Sequence, residues 1–215
     1  MVSVLVDFDG TITAVDLAEQ ILREFTGEAW WPIEQEFRSG KIGSREALTR
    51  QFGLIHASKR ALVEFLGRVS MVDKGFPTFV ENCSRREIPV EIASDGFDFY
   101  IEPVLSRLGL QIPFTANSAL FGENRVIPLF PHANLHCVRC GGCANCKLDT
   151  LNRLKRRGAV YYVGDGHSDI PAALQADRVY AKGELRNYLE GQGHPHRSFQ
   201  DFRELSREVD DWESS

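Results

Sequence analysis

Three β-rich segments of this chain each run straight into a polar turn that carries acid. Residues 2–6 meet Asp7-Phe8-Asp9-Gly10-Thr11, residues 88–93 meet Ser94-Asp95-Gly96, and residues 159–163 meet Gly164-Asp165-Gly166-His167-Ser168-Asp169. Between and beyond them the apolar residues recur at helical spacing, as in Leu17, Ala18, Ile21, Leu22 and Phe25. Strands alternating with helices predict an α/β fold with a mostly parallel sheet and helices on both faces. In such sheets ligands bind beyond the carboxyl ends of the strands. If the three strands are neighbours, their acids and the Ser94 hydroxyl share one edge.

Further elements are expected at 44 onward, 58–69, 77–86, 98–108 and 147–155 as helices. A hairpin is expected around Gly122-Glu123-Asn124, a helix from Pro171, a short strand at 178–181, and one or two terminal helices. The polar ending, 207–215, is expected to fray. The helical stretch from about Asp16 to Asp73 is too long for a simple crossover. It is read as an insertion, which divides the chain into a core of 1–14 and 74–215 and a helical unit of 15–73.

Composition bounds the partners. The chain is 43% hydrophobic and 26% charged, and 30 acidic against 25 basic residues leave a net charge of −5. An acidic chain is repelled by phosphate backbones, so nucleic acid is not expected as a partner. No run approaches the ~18 apolar residues of a membrane span, and the first residues lack a basic signal-peptide region. A cytoplasmic protein, monomeric or homodimeric, is expected.

Clustered carboxylates repel one another unless a cation neutralises them, and Mg²⁺ favours a few carboxylate oxygens, waters and substrate phosphate. On an extended segment the side chains of Asp7 and Asp9 point the same way, so one acid can attack phosphorus while the other handles the leaving-group proton. A Ca²⁺ loop fits less well, because Ala18 stands where a twelve-residue loop beginning at Asp7 needs glutamate.

These residues resemble the haloacid dehalogenase superfamily of aspartate-nucleophile phosphatases. Asp7-Phe8-Asp9-Gly10-Thr11-Ile12 looks like its first motif, Ser94 its second, Lys147 its third, and Gly164 to Asp169 its fourth. The resemblance implies a Rossmann-like core and, in the phosphoserine-phosphatase-like branch, a helical cap inserted after the first strand. It implies Asp7 as nucleophile, Asp9 as general acid/base, and Mg²⁺ held by Asp7, the Asp9 carbonyl and Asp165, with Asp169 counted in the metal set. Ser94 with the backbone of Asp95 or Gly96, and Lys147 as a point cation, would bind the phosphoryl group. Asp169 would orient Lys147 or a metal-bound water.

Cys137, Cys140, Cys143 and Cys146 stand three apart, directly before Lys147. Such spacing suits Zn²⁺, with His132 and His136 nearby, and equally a labile disulfide or a reduced loop. It lacks the ferredoxin-type ending of an Fe–S motif. A Cys-rich loop ending in Cys-Lys resembles two phosphatase groups of the family. One acts on 2-hydroxy-3-keto-5-methylthiopentenyl-1-phosphate in methionine salvage, a likeness shared by Phe52-Gly53-Leu54, Asp98-Phe99-Tyr100 and Pro131-His132. The other comprises the phosphocholine/phosphoethanolamine and pyridoxal-phosphate phosphatases, which Ser94-Asp95 favours. Trp30, Trp31 and Phe37 are candidates for an apolar wall or a cation cage, with core packing as the commoner fate of aromatics. The expected activity is therefore hydrolysis of a small phosphorylated metabolite. Phosphotransfer and a zinc-dependent interaction module are the alternatives.

Overall fold

The computed structural model describes residues 2–69, 71–137 and 142–212. Cys140 lies outside them. The first strand, β1 (Val2–Val6), is buried along its whole length, as its run of valine and leucine requires. Four helices follow: α1 (Leu17–Thr26), α2 (Trp31–Arg38), α3 (Ser44–Phe52) and α4 (Lys59–Val69). Then come α5 (Phe76–Arg85), β2 (Val90–Phe97), α6 (Asp98–Arg107) and the hairpin β3 (Phe114–Phe121) with β4 (Val126–Leu129). The chain continues through α7 (Lys147–Lys155), β5 (Ala159–Gly164), α8 (Ile170–Ala173), β6 (Arg178–Ala181), α9 (Gly183–Gly191), β7 (Arg197–Ser198) and α10 (Phe202–Glu208).

The strands form one sheet in the order β4-β3-β2-β1-β5-β6-β7. β1 lies parallel between β2 and β5, with Val4 opposite both Val90 and Tyr161. The three strands that end in acid are therefore adjacent, and their carboxyl ends open on one edge. Chain order departs from β1 in both directions across the sheet, which places a crevice beside β1. Among the described strands β4 alone runs antiparallel, closed on β3 by the Gly122–Arg125 turn.

Period-two alternation along the strands feeds two separate cores. Val4, Val6, Tyr161 and Val163 face α5, α6 and α10, whereas Leu5, Val160 and Tyr162 face α7, α8 and α9. Both layers are apolar because both sheet faces are covered. Among the described residues no helix is long and apolar enough to cross a membrane.

The stretch that holds α1 to α4 begins and ends side by side. Thr13 bridges Val72 antiparallel, the Ala14 N–H donates to the Met71 carbonyl at 2.8 Å, and the Asp73 N–H donates to the Ile12 carbonyl at 2.9 Å. Within it α1 presents Leu17, Ile21 and Leu22 inward and is capped by Asp16, which accepts from the Glu19 N–H at 2.8 Å. Helix α2 was not expected from the sequence. Its tryptophan and proline read poorly as a helix, yet Pro32 occupies the first turn, where a missing N–H costs nothing.

Two expectations need correction. The polar segment Ser94-Asp95-Gly96 is no turn: β2 continues through it to Phe97 with a register shift against β3. Asparagines supply the irregular contacts here, Asn145 Nδ2 donating to the Ser94 carbonyl at 2.7 Å and Asn117 Nδ2 to that of Asp95 at 2.6 Å. The polar ending does not fray across residues 207–212. Trp212 is buried and packs against Phe79, Tyr161 and Tyr180, so one large aromatic outweighs the charges around it.

Candidate active site

Asp7 follows β1 directly and is buried at the sheet edge. Its Oδ1 accepts from Lys147 Nζ at 2.7 Å. Lys147 is the first residue of α7 and is itself buried; its ammonium also reaches Asp169 Oδ1 at 2.5 Å and Ser168 Oγ at 2.9 Å. Burial works to strip the charge from Lys147, but Asp169, Asp7 and Asp95 outweigh it and hold the ammonium firmly. The structure thus joins the ends of β1, α7 and the β5–α8 turn through one cation.

Asp169 is saturated by protein donors. Oδ1 accepts from Lys147 and from the Tyr162 hydroxyl at 2.7 Å, and Oδ2 from the Asp165 and Gly166 N–H groups, each at 2.9 Å. Carboxylate oxygens of Asp7, Asp165 and Asp169 nevertheless lie within 4.8 Å of one another. Burial first, then Asp169, pushes Asp7 well above the usual carboxylate range. The same causes in the same order raise Asp165 to about 7. Two like charges about 4 Å apart repel by about 4 kcal/mol at an effective dielectric near 20, and one lysine does not offset three acids. The donor set is hard oxygen and lacks positive charge, which fits a hard divalent cation.

Asp9 lines the same cavity but has other partners. Its Oδ2 accepts from the Tyr100 hydroxyl at 2.7 Å and its Oδ1 from the Leu17 N–H at 2.9 Å. The carboxyl therefore ties the core helix α6 to the first residue of α1. Burial, and secondarily Asp16, raises it to about 8. Asp9's side chain does not join the acid cluster; the carbonyl is the part of Asp9 that the motif reading assigned to metal.

Ser94 is fully buried, and its hydroxyl accepts from the Gly96 N–H at 2.9 Å. Asp95 turns the other way, accepting from the Asn145 N–H at 3.1 Å and from the Ser44 hydroxyl. Gly96 is required by crowding: a Cβ there would overlap the Tyr100 hydroxyl and Asp9 Oδ2. Gly96→Ala is therefore expected to displace the Asp9 carboxyl and lower kcat about a hundredfold with little loss of melting temperature. Steady-state kinetics beside a thermal melt checks this. Gly10, at φ 76°, is likewise pressed against Asp165 and admits no side chain.

Asp7, Asp9, Ser94, Asp95, Gly96, Lys147 and Asp165 all line one cavity of about 240 Å³. Its opposite wall comes from the inserted helices, with Leu22, Trp30, Phe37, Leu48, Glu34 and Gln51. Trp30 is buried at this wall and Phe37 stacks edge-on against His167, whereas Trp31 is more than a third exposed. Arg38 of α2 pairs with Glu184 of α9 at 2.8 Å, a solvent-exposed contact that adds little stability. Tyr100, Ser44, Tyr162 and Asn145 were missed from sequence. Only Tyr100 left a trace there, within the Asp98-Phe99-Tyr100 likeness.

A family model described as haloacid dehalogenase-like hydrolase matches residues 4–174. The chain belongs to that family. It is an enzyme of this hydrolase class, and named relatives extend the match over nearly its whole length. A 2-hydroxy-3-keto-5-methylthiopentenyl-1-phosphate phosphatase of Brevibacillus brevis is 31% identical over 94% of this chain and 91% of its own. One of Geobacillus kaustophilus is 32% identical over 91% and 90%. A phosphoserine phosphatase solved as a phospho-aspartyl intermediate analogue shares the fold, with a TM-score of 0.72 at 21% identity, covering 95% of this chain and 96% of the other. A substrate-bound phosphoserine phosphatase gives 0.73 at 20% identity over the same shares.

Proposed function

We propose that this hydrolase is a Mg²⁺-dependent phosphomonoesterase working through an aspartyl-phosphate on Asp7. Its substrate is 2-hydroxy-3-keto-5-methylthiopentenyl-1-phosphate. One observation carries the reading: Asp7 and Asp9 border the same small cavity yet are held in different environments, one by a buried ammonium, the other by a hydroxyl and an amide.

Asp7 attacks phosphorus, and the bond from phosphorus to the substrate oxygen breaks as Asp9 donates a proton to that oxygen. Water then attacks the phosphoryl group, gives its proton to Asp9, and the Asp7–phosphorus bond breaks to release phosphate. Lys147 and the Ser94 hydroxyl hold the phosphoryl oxygens, and Asp169 keeps Lys147 aimed between them. Asp7, Asp165 and the Asp9 carbonyl would hold Mg²⁺, which supplies positive charge to the phosphoryl group when bound. Residues 15–73 act as a cap that closes over the substrate and excludes water.

The relatives' identity and the cavity wall support the substrate. Leu22, Trp30 and Leu48 offer apolar surface for a methylthio group, while Gln51 and Arg38 offer donors to oxygen. An amine-bearing phosphomonoester such as phosphocholine is the second reading, favoured by Glu19 and Glu34 in the same wall. Against it, the Arg23 guanidinium already lies 5.6 Å from the centroid of the Trp30 ring, so one face of that ring is taken by a cation.

Purified protein assayed against the keto-phosphate, phosphocholine, phosphoserine and pyridoxal phosphate tests the proposal. The keto-phosphate is expected to show at least about a hundredfold higher kcat/KM than the others. EDTA should abolish turnover and Mg²⁺ restore it. Preference for phosphocholine would overturn the substrate. Absence of phosphate release from every compound with Mg²⁺ present would overturn the activity, and accumulation of a phosphorylated acceptor would mark a transferase.

A further inference from the structure

The segment between β4, which ends at Leu129, and α7, which begins at Lys147, is seventeen residues long. Loops of that length in compact domains are uncommon and need something to hold them. Three of its cysteines converge. The sulfurs of Cys137, Cys143 and Cys146 lie within 4.8 Å of one another, with Cys143 and Cys146 buried and Cys137 half-buried. Thiolates around a tetrahedral zinc sit about 2.3 Å from the metal and hence about 3.8 Å apart, so the spacing is within reach of small side-chain adjustments.

We propose that Cys137, Cys143 and Cys146 hold a structural zinc ion, which fixes the turn from which Asn145 and Lys147 reach the catalytic centre. The fourth tetrahedral position belongs to a ligand beyond these three. Each thiol yields its proton to solvent on binding. Soft thiolates select zinc and leave hard Mg²⁺ to the aspartates, so the two sites do not compete.

The mechanical link is short. Cys146 is the N-cap of α7, directly before Lys147. Its N–H donates to the His132 carbonyl at 3.1 Å. Between the two buried cysteines, Asn145 clamps the Ser94 and Thr115 carbonyls at 2.7 and 2.9 Å, and the Ala144 N–H donates to Ser44 Oγ at 2.9 Å. A metal on Cys143 and Cys146 therefore sets the backbone that carries the phosphate-facing ammonium, the contact to β2 and a contact to α3. Displacing a catalytic group by about 1 Å can cost about a hundredfold in rate, so loss of this anchor has a kinetic signature.

Full-length protein purified and dialysed against metal-free buffer is expected to retain about one zinc per chain by elemental analysis. Stripped protein titrated with Co²⁺ should develop the thiolate-to-metal charge-transfer band and the visible bands of a tetrahedral site. Cys143→Ser and Cys146→Ser should lose both signals, while Cys83→Ala, which alters a cysteine of the opposite core, should keep them. Zinc removal with Mg²⁺ still supplied should lower kcat at least about tenfold. The cobalt titration of unaltered protein stands even if the serine variants fail to fold, and it reads metal rather than turnover, separating this proposal from the substrate assignment. Substoichiometric zinc with no cobalt–thiolate band would overturn it. So would intact mass two hydrogens short with a cysteine–cysteine crosslink, or zinc retained by both serine variants.

Discussion

Asp7→Asn is expected to abolish phosphate release from an aryl phosphate with Mg²⁺ present, lowering kcat by about four orders of magnitude or more. Asparagine has nearly the shape of aspartate but no carboxylate to attack phosphorus. The same change should leave the melting temperature unchanged or raised. Burial and the neighbouring Asp169 and Asp165 disfavour the charge on Asp7, so a neutral side chain relieves repulsion while Lys147 keeps Asp169 and Ser168 as partners. An inactive but equally stable variant separates chemistry from folding. Full activity in Asp7→Asn would refute the covalent mechanism.

Lys147→Met should damage both. The lysine is the ammonium in contact with Asp7 and with Asp169, each of them buried. Removing one partner of a buried ion pair typically costs about 3–5 kcal/mol, because the other is left charged without compensation. A drop of many degrees in melting temperature is expected with kcat at least about a thousandfold lower, since both nucleophile alignment and phosphoryl charge stabilisation fail. Lys147→Arg is the discriminating companion. It restores charge, and with it part of the stability, but its planar fork cannot converge on three oxygens as a compact ammonium does, so turnover should stay low. Wild-type turnover in the arginine variant would reduce the lysine to a generic cation.

The acids of the site were legible because each stands at the end of a strand whose composition is unmistakable. Val2 to Val6 and Ala159 to Gly164 are nearly pure apolar β-formers, and parallel pairing then delivers Asp7 and Asp165 to one edge. Asp7 and Asp9 were expected to face the same way from an extended segment. They do border one cavity, but the strand stops at Val6 and Gly10 turns the chain, so their partners differ. Ser44, Asn145 and Tyr162 were invisible because their roles arise from tertiary contacts thirty to a hundred residues away, or, for Tyr162, from lying beneath a turn that the sequence shows only as polar. Ser94-Asp95-Gly96 looked like a turn on composition. Asparagine side chains from two other segments let it remain strand.

The position of β1 at the middle of the sheet has a consequence for synthesis. β1 leaves the ribosome before both of its neighbours, and it pairs on one side with residues 90–92 and on the other with residues 159–163. Until the last of these has emerged, one flank of an almost wholly apolar strand has no hydrogen-bonding partner, which is the condition under which nascent chains join edge to edge. The nucleophile sits at the tip of that strand, so no truncated product that stops before residue 169 can assemble the Asp7–Lys147–Asp169 junction, however well its N-terminal half collapses.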